Sequence, residues 1–375
     1  MMCPQDTRIA YVGGSNNIAV LEAIMHLVNA DFNVVACPLN HREGEMLLDA
    51  GIFCSLNRED VVAGCDVVLT SSNQPAELEK LYLGENGLLE LLDPGTIAID
   101  LSFTPPRLAR EIQAMASVAD ITFVDAPLVN VGEGEDSVCF VGGEPDAAEA
   151  IGPLLPYLAS TIYPQAGPGE GQMAAVIAYI GLAGSIMGTI EALSLARIAG
   201  FDNKGALNVL ASTTAASRAL VEYSPRMMSY DYDGRIRVAE LMDALDVVLD
   251  TAEDLDVTAP LAETAYQLYD LLCVVGGETM NIQALALLYE DERTCADFGL
   301  DWALADQARA AQAPSPAEFR EMIERAIEDG DIAPGEAPDE GFSSPGMGWP
   351  MLGGPSGLGN GTGSRPSAGS FFSKN

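Results

Sequence analysis

A doubly wound α/β domain with a mostly parallel sheet, joined by a long helix to an all-helical domain, is the fold class this sequence predicts. Three observations predict it. A short apolar run, Arg8 to Val12, enters a glycine turn and emerges as a helical pattern from Ile18 to Leu27. Strand-like runs then alternate with helical stretches to about residue 165. From Gly171 to about Tyr289 helical periodicity takes over, with no convincing strand.

After the first strand, the runs Asn33–Cys37, Asp66–Thr70, Thr96–Leu101 and Thr122–Asp125 read as strands ended by polar residues or proline. Val138–Val141, stopped by Gly142-Gly143, and Thr161–Tyr163, before Gly167-Pro168-Gly169, complete the α/β part. In the second half, breaks at Gly200-Phe201-Asp202, Ser229–Gly234, Val257–Pro260 and Gly276-Gly277 separate the helices. Pro314–Asp329 reads as one more helix, with Ser315 as its N-cap and Pro316 in its first turn. The expected organisation is an α/β domain over 1–165, a helical domain over 166–300, a helical extension over 301–330, and a Gly/Pro/Ser-rich disordered tail over 331–375.

Composition narrows the function. Of 375 residues, 48% are hydrophobic and 19% charged, as in a globular chain. Eighteen Lys and Arg against 55 Asp and Glu give a net charge of −37. A phosphate backbone or an anionic bilayer would be repelled, so neither nucleic acid nor a membrane surface is an expected partner. The seven cysteines are odd in number and form no Cys-x-x-Cys pair, which fits free thiols in a reducing cytoplasm. Met1–Arg8 contains no apolar signal core. The uncharged segment Met173–Ile190, with Gly184 and Gly188 in a Gly-x-x-x-Gly pair, is long enough for a membrane span, but it runs on helically into Glu191 and Arg197 and is read as a buried helix.

A strand entering a glycine turn before a helix N-terminus is a Rossmann-type place for a pyrophosphate, because the backbone approaches closely and the helix amides favour an anion. Here the turn reads Gly13-Gly14-Ser15-Asn16-Asn17-Ile18. Only the first glycine of Gly-x-Gly-x-x-Gly is in place; Ser15 and Ile18 hold the other two positions. The alternative is a tight turn before a core helix. Past the second strand come Cys37-Pro38-Leu39-Asn40-His41-Arg42, with no acid for a ribose hydroxyl. Arg42, with Asn40, would meet a 2′-phosphate, tilting the expected cofactor toward NADP over NAD; otherwise these are solvated loop residues. Ser71, just past the third run, joins the expected cofactor contacts.

The order of features resembles the β-hydroxyacid dehydrogenases, the family of 3-hydroxyisobutyrate dehydrogenases, glyoxylate reductases and imine reductases. The resemblance spans roughly Arg8 to Tyr289. It is carried by Leu81–Leu89, by Pro94–Ser102, by Val124-Asp125-Ala126-Pro127, and by Gly142-Gly143, Gly169-x-Gly171-Gln172 and Glu191-Ala192. It implies an NAD(P) cofactor, a small-molecule substrate in the interdomain cleft, and a homodimer packed through the long helix. Ser102 falls at the strand-end turn that contacts cofactor, followed by Phe103 in place of a threonine.

The implied catalytic residues do not carry over. The substrate-loop serine is Val129, in Leu128-Val129-Asn130-Val131. The general acid/base lysine is Ala175, and the asparagine one turn later is Tyr179. A second lysine aligns with Met242, although Asp243 beside it is kept. Proton transfer normally contributes a factor of about 10²–10⁴, and Ala175 cannot supply it. Carboxylate-bearing hydroxyacids are therefore disfavoured, and the imine-reducing branch, which also lacks the lysine, is the better analogy. Tyr179 is the candidate acid, or else a buried tyrosine bonded to a backbone carbonyl. Asn130 is an amide contact or a turn residue, and Asp243 orients Tyr179 or caps a helix. Two functions follow: a reductase of an imine or of a carbonyl without a carboxylate, or a non-catalytic homodimer that binds a dinucleotide or regulates.

Overall fold

The computed structural model describes residues 4–312 except 131, 133, 135 and 136. The α/β part runs β1 (Arg8–Gly14), α1 (Ile18–Asn29), β2 (Asn33–Pro38), α2 (His41–Asp49), β3 (Phe53–Cys54), α3 (Arg58–Val62), β4 (Val67–Ser72), α4 (Pro75–Leu83), α5 (Leu88–Leu91), β5 (Ile97–Asp100), α6 (Pro106–Val118) and β6 (Thr122–Asp125). Then come β7 (Leu128–Asn130), β8 (Ser137–Val141), α7 (Pro145–Ile151), α8 (Leu155–Leu158) and β9 (Thr161–Pro164). β1 to β6 form one parallel sheet in the order β3-β2-β1-β4-β5-β6, and β7-β8-β9 form a second, smaller sheet.

The order reverses between β1 and β4, where a crevice opens at the carboxyl ends of the strands. Alternation along β1 explains the two layers. Ile9 and Tyr11 face one apolar cluster with α1, α7 and α8; Ala10 and Val12 face another with α3, α4 and α6. β3 and β7 lie in segments not read as strands. β3 has only two residues, and β7 was read as the substrate loop although it pairs antiparallel with β8.

The helical part comprises α9 (Glu170–Ile198), α10 (Asn203–Ala211), α11 (Arg218–Met228), α12 (Val238–Asp254), α13 (Pro260–Val274), a 3-10 segment (Ile282–Tyr289), α14 (Glu292–Asp297) and α15 (Trp302–Gln312). The four predicted breaks fall between these helices. α9 is long and apolar enough to cross a membrane by length and composition. Its Val176, Ala183, Ile186, Met187 and Ile190 belong to the core shared with α11, α12 and α13. The opposite side is uncovered, so α9 is not buried all round as its composition predicts: Ile177 is 65% exposed and Ile198 74%. Trp302 and Ala305 of α15 pack on the same core, which attaches the start of the expected extension to the helical domain. The predicted helix over Pro314–Asp329 and the tail over 331–375 lie outside the described residues.

Two ion-pair sets clasp the halves. Arg107 of α6 meets Asp250 at 3.3 Å and Asp254 at 2.8 Å on α12. Arg235, before α12, grips Glu22 of α1 with both terminal nitrogens. At the junction itself Asp125 accepts the backbone N–H of Gly169 at 2.8 Å and of Gln172 at 2.9 Å, at the start of α9. Gly142 and Gly171 permit this approach, since a Cβ at Gly142 would lie 2.5 Å from the Gly171 nitrogen. Gln172 in turn donates to the Ser102 carbonyl and accepts from the Thr104 N–H. The six cysteines among the described residues are free thiols, four of them buried.

Candidate active site

The crevice between the two halves is lined by Ser15, Asn17, Ser72, Asn73, Leu101, Ser102, Phe103, Asn130, Tyr179, Ile236, Glu240, Asp243 and Ala244. Residues from the glycine turn, the ends of β4 and β5, and α9 and α12 thus meet in one place. Among these linings there is no Lys or Arg, and there are two carboxylic acids. Four of the residues predicted as cofactor or substrate contacts, Ser15, Asn17, Ser102 and Asn130, line it together with both candidate catalytic residues, Tyr179 and Asp243.

Tyr179 is half-buried, and its ring stacks on Phe103 with centroids 4.8 Å apart and planes 30° apart. No hydrogen bond holds its hydroxyl among the described residues, so the expected alternative of a bond to a backbone carbonyl is not what the chain adopts. Burial, and secondarily the charge of Glu240, push the phenol well above its ordinary pKa, so it stays protonated. Glu240 and Asp243 lie three residues apart on α12, on one face of the helix. Burial raises Glu240 to about 7, assisted by Asp243 and opposed by Arg237 and Arg235. Burial raises Asp243 to about 6, assisted by Asp246. Asp243 is mid-helix and caps nothing. Met242, at the lost lysine position, packs on the helical core.

Several predicted contacts are placed otherwise. Ser71 is fully buried, and its hydroxyl pairs with Tyr11 instead of facing the crevice. Ser102 reaches the crevice, but its hydroxyl donates to Asp100 at 2.6 Å and accepts the Ser72 N–H at 2.9 Å. Ala175 is fully buried and absent from the lining, so it touches no substrate space. Asn40 spends its side-chain oxygen on capping α2 through the Glu43 N–H at 2.8 Å. The hollow beyond β2 is lined by Leu39, Asn40, His41, Glu45, Ser55 and neighbours. Arg42 is exposed at the start of α2 and does not line this hollow, whereas its neighbour His41 does.

A second hollow adjoins the crevice through Asn130, Tyr179 and Ile236 and is more apolar, with Val129, Val138, Phe140 and Leu182 in its wall, although Arg218 and Glu222 also line it. Val129 therefore does face potential substrate space. Asn130 donates to Asn17 Oδ1 at 3.0 Å, while its own buried Oδ1 has no partner.

At the glycine turn, space and donors both bear on whether a dinucleotide fits. A Cβ on Gly13 would strike Ser71 and Tyr11, and one on Gly14 would press on Leu39 and Asn40, so both glycines are required by the chain's own packing. The turn amides already have acceptors: Asn16 N–H donates to Asn73 Oδ1 at 2.9 Å and Asn17 N–H to Ser15 Oγ at 3.1 Å. Ala19 N–H donates to the N-cap Asn17. Asn73 and Ser15 line the open crevice. A diphosphate at this turn would have to take the place of these two side-chain oxygens as acceptor of the Asn16 and Asn17 N–H groups.

Sequence reasoning missed Glu240, Ser72, Asn73 and Glu43. Glu240 carried a signal, standing three residues before Asp243; Ser72 and Asn73 directly follow Ser71 at the same strand end.

Strand order, switch-point crevice and helical second half define a two-domain oxidoreductase scaffold of the nicotinamide-nucleotide type. Residues 21–167 match the NAD binding domain of 6-phosphogluconate dehydrogenase, and residues 169–289 match the family described as NAD-binding of NADP-dependent 3-hydroxyisobutyrate dehydrogenase. An uncharacterized oxidoreductase, YkwC, of Bacillus subtilis is 26% identical over 267 residues, covering 70% of this chain and 93% of its own. An NAD-dependent L-serine dehydrogenase of Pseudomonas aeruginosa is 28% identical over 294 residues, covering 76% of this chain and 98% of its own. A solved structure of a Mycobacterium tuberculosis 3-hydroxyisobutyrate dehydrogenase with L-serine superposes with a TM-score of 0.68 at 23% identity, covering 76% of this chain and 99% of that one. The chain belongs to the β-hydroxyacid dehydrogenase family.

Proposed function

We propose that this chain is an NAD(P)H-dependent reductase of an imine, or of a carbonyl compound that carries no carboxylate. The observation that carries the reading is the lining of the crevice: one tyrosine hydroxyl free of protein partners, two acids and no cation. A carboxylate substrate would meet like charge there, the nearest cation among the linings being Arg218 in the adjoining hollow, where Glu222 stands beside it. An iminium would be attracted by Glu240 and Asp243 once they ionise. The cofactor, when bound, supplies the hydride. Tyr179, stacked on Phe103, gives its proton to a neutral imine nitrogen or a carbonyl oxygen as the carbon takes up hydride and is reprotonated from solvent, whereas an iminium needs no such proton. The apolar hollow bounded by Val129 and Leu182 receives the substrate's hydrocarbon part.

Ser15, Asn16 and Asn17 would hold the diphosphate; Ser72, Asn73 and Asn130 would flank the nicotinamide end. NADH and NADPH both remain candidates, since Arg42 stands outside the hollow beyond β2. Cytoplasmic location and a homodimer belong to the same proposal.

The test is a fluorescence titration with NADH and NADPH followed by assays on cyclic imines and small aldehydes. We expect turnover that Tyr179→Phe lowers by a factor of about 10²–10⁴ with KM nearly unchanged. Unaltered turnover in that variant overturns the acid role. The second reading, a non-catalytic dinucleotide-binding or regulatory dimer, is favoured by one observation, the fully buried Ala175 at the position of the family's acid/base lysine. Cofactor binding without turnover on any imine or aldehyde would select it.

A further inference from the structure

Directly beneath the glycine turn lies an acid that the proposed reaction does not use. Glu43, in the first turn of α2, is only 2% exposed. The Tyr11 hydroxyl, reaching up from β1, donates to its Oε1 at 2.5 Å and also pairs with Ser71 of β4. Asn40, from the loop after β2, places its amide nitrogen 3.5 Å from Oε2.

These atoms pack directly beneath Gly13, where an added Cβ would strike the Ser71 hydroxyl oxygen and lie 2.7 Å from that of Tyr11. A dinucleotide-binding turn ordinarily offers its N–H groups to phosphate from an empty floor. Here a buried carboxyl group lies beneath the turn with no cation facing it. We propose that the charge of Glu43 opposes the cofactor's diphosphate at the glycine turn and so sets cofactor affinity. The inference rests on the dinucleotide reading above and adds the residue that limits it.

The packing around Glu43 defines its response to pH. Facing it are Tyr11 from β1, Ser71 from β4 and Asn40 from the loop, none of them cationic. Cys54 on β3 feels its charge, and burial, followed by Cys37 and Glu43, raises the Cys54 thiol. On α2 itself, His41 and Glu45 pair with each other at 3.6 Å in solvent. Burial raises Glu43 to about 7, against the hydrogen bond from Tyr11 that lowers it. An incoming diphosphate adds negative charge and raises it further. Binding therefore takes up a proton when Glu43 starts ionised, and affinity falls as pH rises through this range.

ADP-ribose isolates the diphosphate half, because it has no nicotinamide to reach Glu240 or Asp243. Titrate the full chain and Glu43→Gln with ADP-ribose and NADPH at pH 6 and pH 8 by calorimetry, in two buffers of different ionisation enthalpy. We expect the wild-type protein to bind ADP-ribose about tenfold more weakly at pH 8 than at pH 6, with proton uptake, since one linked ionisation changes affinity by at most a decade per pH unit. Glu43→Gln should bind about tenfold more tightly than wild type at pH 8 and lose the proton uptake. Equal or weaker binding by that variant at pH 8, with its melting temperature kept, overturns the proposal while leaving the dinucleotide reading intact. Absence of binding to both proteins at both pH values overturns the two together. Should Glu43→Gln not fold, wild-type binding without proton uptake is the overturning result.

Discussion

At the residue scale, the crevice is governed by two acids on one face of α12. Glu240 titrates near 7 and Asp243 near 6, both lifted by burial. Near pH 5 both are largely neutral and offer an iminium little beyond hydrogen bonds; by pH 8 both are largely anionic. For a permanently cationic iminium, KM should therefore fall as pH rises from 5.5 to 7.5. Removing the two charges by Glu240→Gln with Asp243→Asn should raise KM at pH 7.5 by roughly tenfold, the equivalent of about 1.4 kcal/mol, and flatten the profile. Steady-state kinetics across that range check it; a KM for the cationic substrate unaffected by the double substitution would remove the electrostatic argument. Glu43 shows how a local pattern can mislead. Asn40-x-x-Glu43 has the spacing of a capping box, and Asn40 does cap the Glu43 N–H. The glutamate, however, turns away to the Tyr11 hydroxyl, a contact 32 residues distant in sequence that no local pattern encodes.

At the element scale, the start of α9 is where the two halves are tied. Asp125 at the end of β6 accepts two α9 amides, replacing the side-chain N-cap that Gly169 lacks. Four backbone N–H groups oppose the burial that holds its pKa near 6. Asp125→Ala leaves those amides buried and unpartnered, with a predicted loss of about 2–4 kcal/mol. Asp125→Asn keeps one carbonyl acceptor and should lose less. Urea unfolding of both variants checks the ranking, and an alanine variant as stable as wild type would contradict it. This element also shows what was legible in advance. Val124-Asp125-Ala126-Pro127, Gly142-Gly143 and Gly171-Gln172 were readable as family signatures, and the parallel strands were readable from their apolar runs and stops. β7 was not, because three residues after a proline carry too little alternation to be separated from a loop. The isolation of the Tyr179 hydroxyl was equally invisible. It depends on Phe103 covering the ring from another element.

At the scale of the whole molecule, a large negative charge and an uncovered helix face act against each other. Along α9, Ile177, Gly181, Gly188, Glu191, Leu195 and Ile198 are exposed, and with half-buried Ser185 between the two glycines they form a stripe recurring every three to four residues. A Cβ at Gly181 or Gly188 would meet nothing within 4 Å, so a second helix can approach the backbone closely there. We expect two chains to pair through this stripe. The charge of −37 on each chain opposes that pairing, and salt screens such repulsion beyond roughly 10 Å at 0.1 M. The dimer should therefore tighten between 50 mM and 500 mM NaCl, the reverse of an association held by ion pairs. Gly188→Glu separates this interface from the fold. Inside the monomer the new side chain has open space and replaces a residue unfavourable in helices by up to about 1 kcal/mol, so the melting temperature of the isolated chain should not drop. At the interface it places a carboxylate between close backbones, beside Glu191. Sedimentation velocity should show wild type as a dimer at high salt and Gly188→Glu as a monomer at both salt concentrations. A wild-type chain that sediments as a monomer throughout, or a Gly188→Glu chain that still pairs, would move the interface elsewhere and leave the apolar stripe unexplained.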